Sequence, residues 1–219
     1  MPFEQATFGV LTLEPPSHQR PEGIVLKSLF AAFIALAFSV AAQTEDRNEG
    51  MFVDWLRTAG TAEFEQSLEE ADLDKVVPLY QLLRTATDWR ACGGPAFEIP
   101  PRTQWPDVRS VLLLIKELKK RQLLTQFEAV SGYRNPSLNA CAGGARSSAH
   151  AQQFAIDIVT RAENIDEKLL CQFWKTEGQA WNMGLSKYPS GRIHLDTAGY
   201  RTWGADHKRG SSFCVRDSW

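Results

Sequence analysis

Apolar positions change their spacing several times along the chain, and each change marks an element. Residues 24–42 form an apolar run broken only by Lys27 and two serines and ending in small residues; 43–50 are polar. From Met51 to about Trp89 apolar side chains recur mostly at three- and four-residue steps, through Phe52, Trp55, Leu56, Phe64, Leu68, Leu73, Val76, Val77, Leu79, Tyr80, Leu82 and Leu83, which predicts a helical segment. Cys92-Gly93-Gly94-Pro95 and Pro100-Pro101 punctuate the chain. Val108, Val111, Leu112, Ile115, Leu118 and Leu123 then mark one face of a helix from about 106 to 123. Pro106 suits its first turn, and Lys119, Lys120 and Arg121 suit its last.

Beyond this helix the period shortens toward two. Gln126 to Ser131 reads as a strand running into the turn Gly132 to Pro136, and Asn139 to Gly144 reads as a loop. Ala155 to Val159 is a strand with Asp157 on the face of Ala155 and Val159. A helix is expected from Asp166-Glu167 through Trp174 to about Trp181. Leu185–Tyr188 and Arg192–Asp196 read as two strands around the turn Pro189-Ser190-Gly191, with Arg192, His194 and Asp196 on one face. Tyr200 to Trp219 is polar and turn-rich.

With 219 residues, 43% of them hydrophobic and 23% charged, the chain can bury a sizeable core. A net charge of −2 argues against a nucleic-acid partner, which usually demands a basic excess. Lys27 followed by an apolar stretch and small residues has the grammar of a secretory signal with cleavage after Ala42. The uncharged part, Ser28 to Ala42, is short for a membrane span of about 20 residues; a single N-terminal anchor is the alternative, and no stable membrane insertion is expected after cleavage. Glu4, Glu14 and Glu22 are foreign to a signal's first region, which points to a start near Val25 with residues 1–23 untranslated. Export, to periplasm or cell envelope, makes two disulfides the expectation for Cys92, Cys141, Cys171 and Cys214, with free buried thiols the alternative. Cys92–Cys141 would tie the preceding segment to the loop before His150, and Cys171–Cys214 would pin the tail.

Two imidazoles and a carboxylate attract attention: His150, seven residues before Asp157 and its strand, and His194 on a further strand. A catalytic zinc takes three side-chain ligands and leaves a fourth position to water, and these three would suffice. Taken singly each is an ordinary residue, and spacing alone does not make it a ligand.

Several separated blocks nevertheless agree in order: Ser131-Gly132-Tyr133-Arg134, Gly143-Gly144-Ala145, Ser148-x-His150 with Ala155-x-Asp157, His194-x-Asp196, and Tyr200-Arg201-x-Trp203. In these, from about Arg90 to Cys214, the chain resembles the zinc D-Ala-D-Ala carboxypeptidase family, peptidase family M15, and most of all its subfamily A, which acts on bacterial cell walls. It departs from the family's S-x-H-x-x-G-x-A-x-D block at Gln153, where glycine is usual. The resemblance implies an α+β fold, a small antiparallel sheet flanked by helices of the hedgehog/D-Ala-D-Ala-peptidase type. The peptidase domain would cover 90–219, behind a leader and signal at 1–42 and a linker with helical extension at 43–89.

The resemblance also implies Zn2+ held by His150, Asp157 and His194, and a peptidoglycan peptide as substrate, trimmed at a terminal D-alanine or cut at a cross-link. Arg134 would bind the substrate carboxylate or the developing oxyanion, its alternative being a structural ion pair; Ser148 would contact substrate. Some relatives carry Glu three residues before the last His; here that residue is Gly191. Asp196 is then either the general base or a carboxylate that orients an imidazole. His207 is expected outside the site, and Tyr200 and Trp203 beneath it. A non-catalytic wall-binding module that keeps the zinc, and a metal-free scaffold held by disulfides, are the competing readings.

Overall fold

The computed structural model describes residues 49–216; the apolar run at 24–42 and the leader before it lie outside the described residues. Residues 49–59 (α1), Ala62–Glu69 (α2) and Leu79–Leu82 (α3) make up the N-terminal helical segment. Then follow α4 (Trp105–Lys120), β1 (Glu128–Ser131), α5 (Pro136–Cys141), α6 (Ala149–Gln152), β2 (Ala155–Val159), α7 (Glu167–Thr176), β3 (Gly184–Lys187), β4 (Ile193–Asp196), β5 (Arg201–Trp203) and α8 (Phe213–Arg216). α4 forms as its spacing predicts, with Pro106 in the first turn. Its face Val108, Val111, Leu112, Leu114, Ile115 and Leu118 is fully buried, each side chain contributing about 1.5–3 kcal/mol over exposure. Three expectations shift. α7 stops at Thr176, and the chain turns at Gly178, where any side chain would strike the Trp174 carbonyl. The expected loop at 139–144 is helical up to Cys141, capped by Asn135, whose side chain accepts from the Leu138 N–H at 2.9 Å. The C-terminal stretch contains a strand and a helix.

The five strands form one sheet in the order β1-β2-β4-β3-β5. Four are antiparallel neighbours, but β5 pairs parallel to β3, so the sheet is mixed rather than purely antiparallel. Asp196, at the end of β4, and Arg201, at the start of β5, both pair with Gly184. The chain thus hops over the end of β3 and returns antiparallel to β4, which makes it parallel to β3. One face of the sheet, with Ile156, Leu195 and Leu185 in one cross-strand row, joins the core built by α4 and α7. The opposite face carries a polar row through all five strands: Ser131, Asp157, His194, Ser186 and Trp203 are successive register partners. A register shift between Ala129 and Ser131 brings Ser131 into that row, since strict alternation would keep it on Ala129's side.

The N-terminal segment shares the core through Phe52, Phe64, Leu68, Leu82 and Leu83. It also covers the free edge of β1, which would otherwise expose unpaired backbone groups. Gln81 Oε1 accepts from the Ala129 N–H at 2.9 Å, Arg84 Nη1 donates to the Ala129 carbonyl at 3.0 Å, and the Gly132 N–H donates to the Arg84 carbonyl at 2.7 Å. Disulfides Cys92–Cys141 and Cys171–Cys214 are formed, in the expected connectivity, and no cysteine is free. The first ties the turn after the N-terminal segment to α5; the second fastens α8 to α7. Closing loops of 49 and 43 residues contributes about 4 kcal/mol each on chain-entropy grounds.

A Cβ on Gly132 would lie 2.6 Å from the Leu82 carbonyl and 3.1 Å from that of Arg84, and backbone cannot step aside. Gly132→Ala is expected to cost about 2 kcal/mol or more in urea unfolding and to loosen the N-terminal segment from β1. Unchanged stability would show that this junction is not tightly packed.

Candidate metal centre

His150 lies in the short helix α6, Asp157 in the middle of β2 and His194 on β4, where it is the register partner of Asp157. All three are buried. Asp157 Oδ1 is 3.2 Å from His150 Nε2 and 3.0 Å from His194 Nδ1, and the two ring nitrogens are 3.2 Å apart. Tetrahedral zinc, with bonds of about 2.0–2.1 Å, holds its ligand atoms about 3.3 Å apart, so the donor set and its spacing suit such an ion. His150 Nδ1 faces the Gly132 carbonyl at 2.7 Å and His194 Nε2 faces Asp196 Oδ2 at 2.7 Å. With each outer nitrogen facing an acceptor, a neutral imidazole would hold its proton there and leave the inner nitrogen's lone pair to a metal.

Asp196 is fully buried and saturated. Arg201 donates to it from Nη1 at 2.9 Å and Nη2 at 2.7 Å, and the Ala198 N–H adds a bond of 2.8 Å. Gly184, between Asp196 and Arg201 in the register, makes this possible, because a Cβ there would overlap the carboxylate. Arg134 donates from Nε and Nη2 to Ser131 Oγ at 3.0 and 2.7 Å, and from Nη2 to Asp157 Oδ2 at 2.8 Å. Asp157 thus offers one oxygen to the imidazoles and the other to the guanidinium.

The imidazoles titrate in opposite directions. Burial pushes His150 down, and its outer partner is a neutral carbonyl. Burial opposes charge on His194 too, but hydrogen bonds to Asp157 and Asp196 prevail and push it up to about 9. Burial alone would raise Asp157; His150 and His194 hold it well below the usual carboxylate range. Burial, then Asp157, raises the Tyr188 phenol to about 12, so it is an O–H donor at neutral pH.

The centre lies in a cleft of about 550 Å³. One wall is the segment from Ala142 to Ala149, where Ser148 precedes α6 with no capping bond of its own. Gln153, where glycine is usual in relatives, turns the chain out of α6 toward β2. Tyr188 and Arg192 line the cleft from the β3–β4 turn, and Arg201 and Trp203 from β5. His207 and Arg209 also line it, so the expectation that His207 stands outside the site is corrected: the turn after β5 carries it back over the sheet. Trp203 borders the cleft, 5.1 Å between ring centroids from His194, whereas Tyr200 stacks on Trp174 at 4.8 Å as expected of a packing residue. Tyr188 was legible in principle, since a three-residue turn pairs it with Arg192 on the His194 face. Nothing local marks Arg201 as the partner of Asp196.

Two histidines and a carboxylate converge on one buried point beside a cleft and form a group that could hold a metal ion. Residues 108–196 match the family model described as Peptidase M15, so this segment is similar to the M15 peptidases, which are metal-dependent. The matched segment runs from α4 to the last residue of β4 and contains all three donors. No curated protein and no solved structure gives a significant match.

The raised His194 value fixes the sign of a pH dependence. In metal-free protein its contribution to stability is complete below the unfolded value of 6.5 and is lost as pH rises through about 9. A metal needs the bare nitrogen, so binding at pH 7 should release about one proton, and affinity should climb about tenfold per pH unit toward pH 9. Calorimetry in buffers of different ionisation enthalpy measures this; no proton release would contradict the His194 assignment.

Proposed function

We propose that the chain is an exported zinc peptidase of the M15 subfamily A type that cleaves peptidoglycan peptides, as a D-Ala-D-Ala carboxypeptidase or a murein endopeptidase. The observation that carries this reading is the convergence of His150 Nε2, Asp157 Oδ1 and His194 Nδ1 at a cleft that also presents Arg134. Held by these three residues, zinc would supply Lewis acidity, making water nucleophilic at neutral pH and polarising a carbonyl. Arg134 is fixed through Nε and Nη2, while its Nη1 has no hydrogen bond among the described residues; that free edge receives the substrate carboxylate or the oxyanion. Ser148 adds a hydroxyl on the opposing wall. Two disulfides fit an oxidising compartment, and no helix among the described residues is long and apolar enough to cross a membrane. Cleavage after Ala42, with the mature chain in the periplasm or cell envelope, completes the reading.

Of the two roles open to Asp196, orientation is the better supported. The carboxylate meets the His194 nitrogen that points away from Asp157, and Arg201 fills its remaining lone pairs.

Two measurements test this. Zinc-loaded protein should release free D-alanine from a peptide ending in D-Ala-D-Ala, or split a cross-linked muropeptide dimer. Binding of both without turnover would instead favour a non-catalytic wall-binding module. Asp196→Asn should lower zinc affinity about 10–100-fold while activity largely returns at saturating zinc. Unchanged affinity with turnover down about 100-fold or more would make Asp196 the base.

A further inference from the structure

The chain as a whole is slightly acidic, at −2, yet the cleft is cationic. Four guanidinium groups line it, and the one carboxylate among its lining residues is the buried Asp157. Two of the four are already neutralised, Arg134 by Asp157 and Arg201 by Asp196. Arg192 and Arg209 are not: neither has a carboxylate partner among the described residues. Arg192 donates to the Ser190 hydroxyl at 3.2 Å and the Thr87 hydroxyl at 3.1 Å, with its guanidinium 5.8 Å from the Tyr188 ring centroid. Arg209 lies 5.3 Å from the Trp174 ring centroid. Neutral hydroxyls and ring faces orient these groups without cancelling their charge. They reach the cleft from separate elements, the β3–β4 turn and the segment after β5. A concave wall of one sign concentrates ligands of the other.

We propose that the cleft selects acidic peptides, and that Arg192 and Arg209 are specificity residues that grip a second carboxylate, distinct from the one at the scissile end. The inference rests on the peptidase reading and adds to it the charge of the substrate. Arg134 serves the reacting end, next to the metal donors. Arg192 and Arg209 are free for a side-chain or branch carboxylate elsewhere on the same peptide, each able to make a charge-assisted, paired contact.

The test uses the full zinc-loaded chain and two synthetic peptides ending in D-Ala-D-Ala that differ only in one upstream side chain, glutamate or glutamine. The glutamate peptide should show a KM about tenfold lower, the scale of one hydrogen bond to a charged group, and that advantage should shrink as salt is raised. The double variant R192Q/R209Q should raise the KM for the glutamate peptide to that of the glutamine peptide. Equal KM values in the unmodified protein, or an advantage that survives in a folded, zinc-containing double variant, would overturn the proposal. If neither peptide is hydrolysed, the peptidase reading fails separately. Calorimetric binding of the same peptides to metal-free protein then decides the matter: tighter binding of the glutamate peptide upholds selection of acidic ligands, and equal binding overturns it.

Discussion

Burying two imidazoles against one carboxylate is costly unless every outer nitrogen and oxygen finds a partner, and here each does. His150 is tied to the Gly132 carbonyl, His194 to Asp196, and Asp157 to Arg134 through its second oxygen. With the outer atoms committed, the three inner atoms have no choice but to face one another. The convergence is therefore a property of the surrounding hydrogen bonds as much as of the three residues. It is also a property of the sheet, because Ser131, Asp157 and His194 share one row of register partners.

The same view changes the standing of the N-terminal helical segment. Read from the sequence it is an extension beside the domain; in the structure its backbone carbonyls at Arg84 and Thr85 hold Gly132 and Ser131. Those two residues hold His150 and Arg134 in turn. The segment belongs to the same compact unit, Glu49 onward, as the rest of the described chain. The Cys92–Cys141 bond extends the tie to the wall of the cleft.

Periodicity made α4 legible, because it buries one face, and a period of two marked β2 and β4, buried on both faces, and placed His194 and Asp196 together on the site side. The resemblance supplied the donor set, and the structure brings those three residues to one point. What stayed hidden has a common cause: it depends on partners far along the chain. The shift at β1 turns Ser131 over only because β2 is its neighbour. β5 is only three residues long, Arg201-Thr202-Trp203, too short to show a period; its pairing with β3 creates it. The contact by which Arg201 reaches Asp196, across Gly184, depends on the pairing of β3 with both β4 and β5. His207 sits in a run of charge that reads as solvated loop, and only the fold carries it to the cleft.

The central claim is that the outer hydrogen bonds decide which atoms receive the metal. Crystals of the zinc-loaded protein, with anomalous diffraction collected at the zinc edge, test it most directly. The account predicts one strong peak at bonding distance, about 2.0–2.2 Å, from His150 Nε2, Asp157 Oδ1 and His194 Nδ1, with Asp196 still bonded to His194 Nε2. A peak elsewhere, or coordination of the ion by Asp196 in place of Asp157, would contradict it.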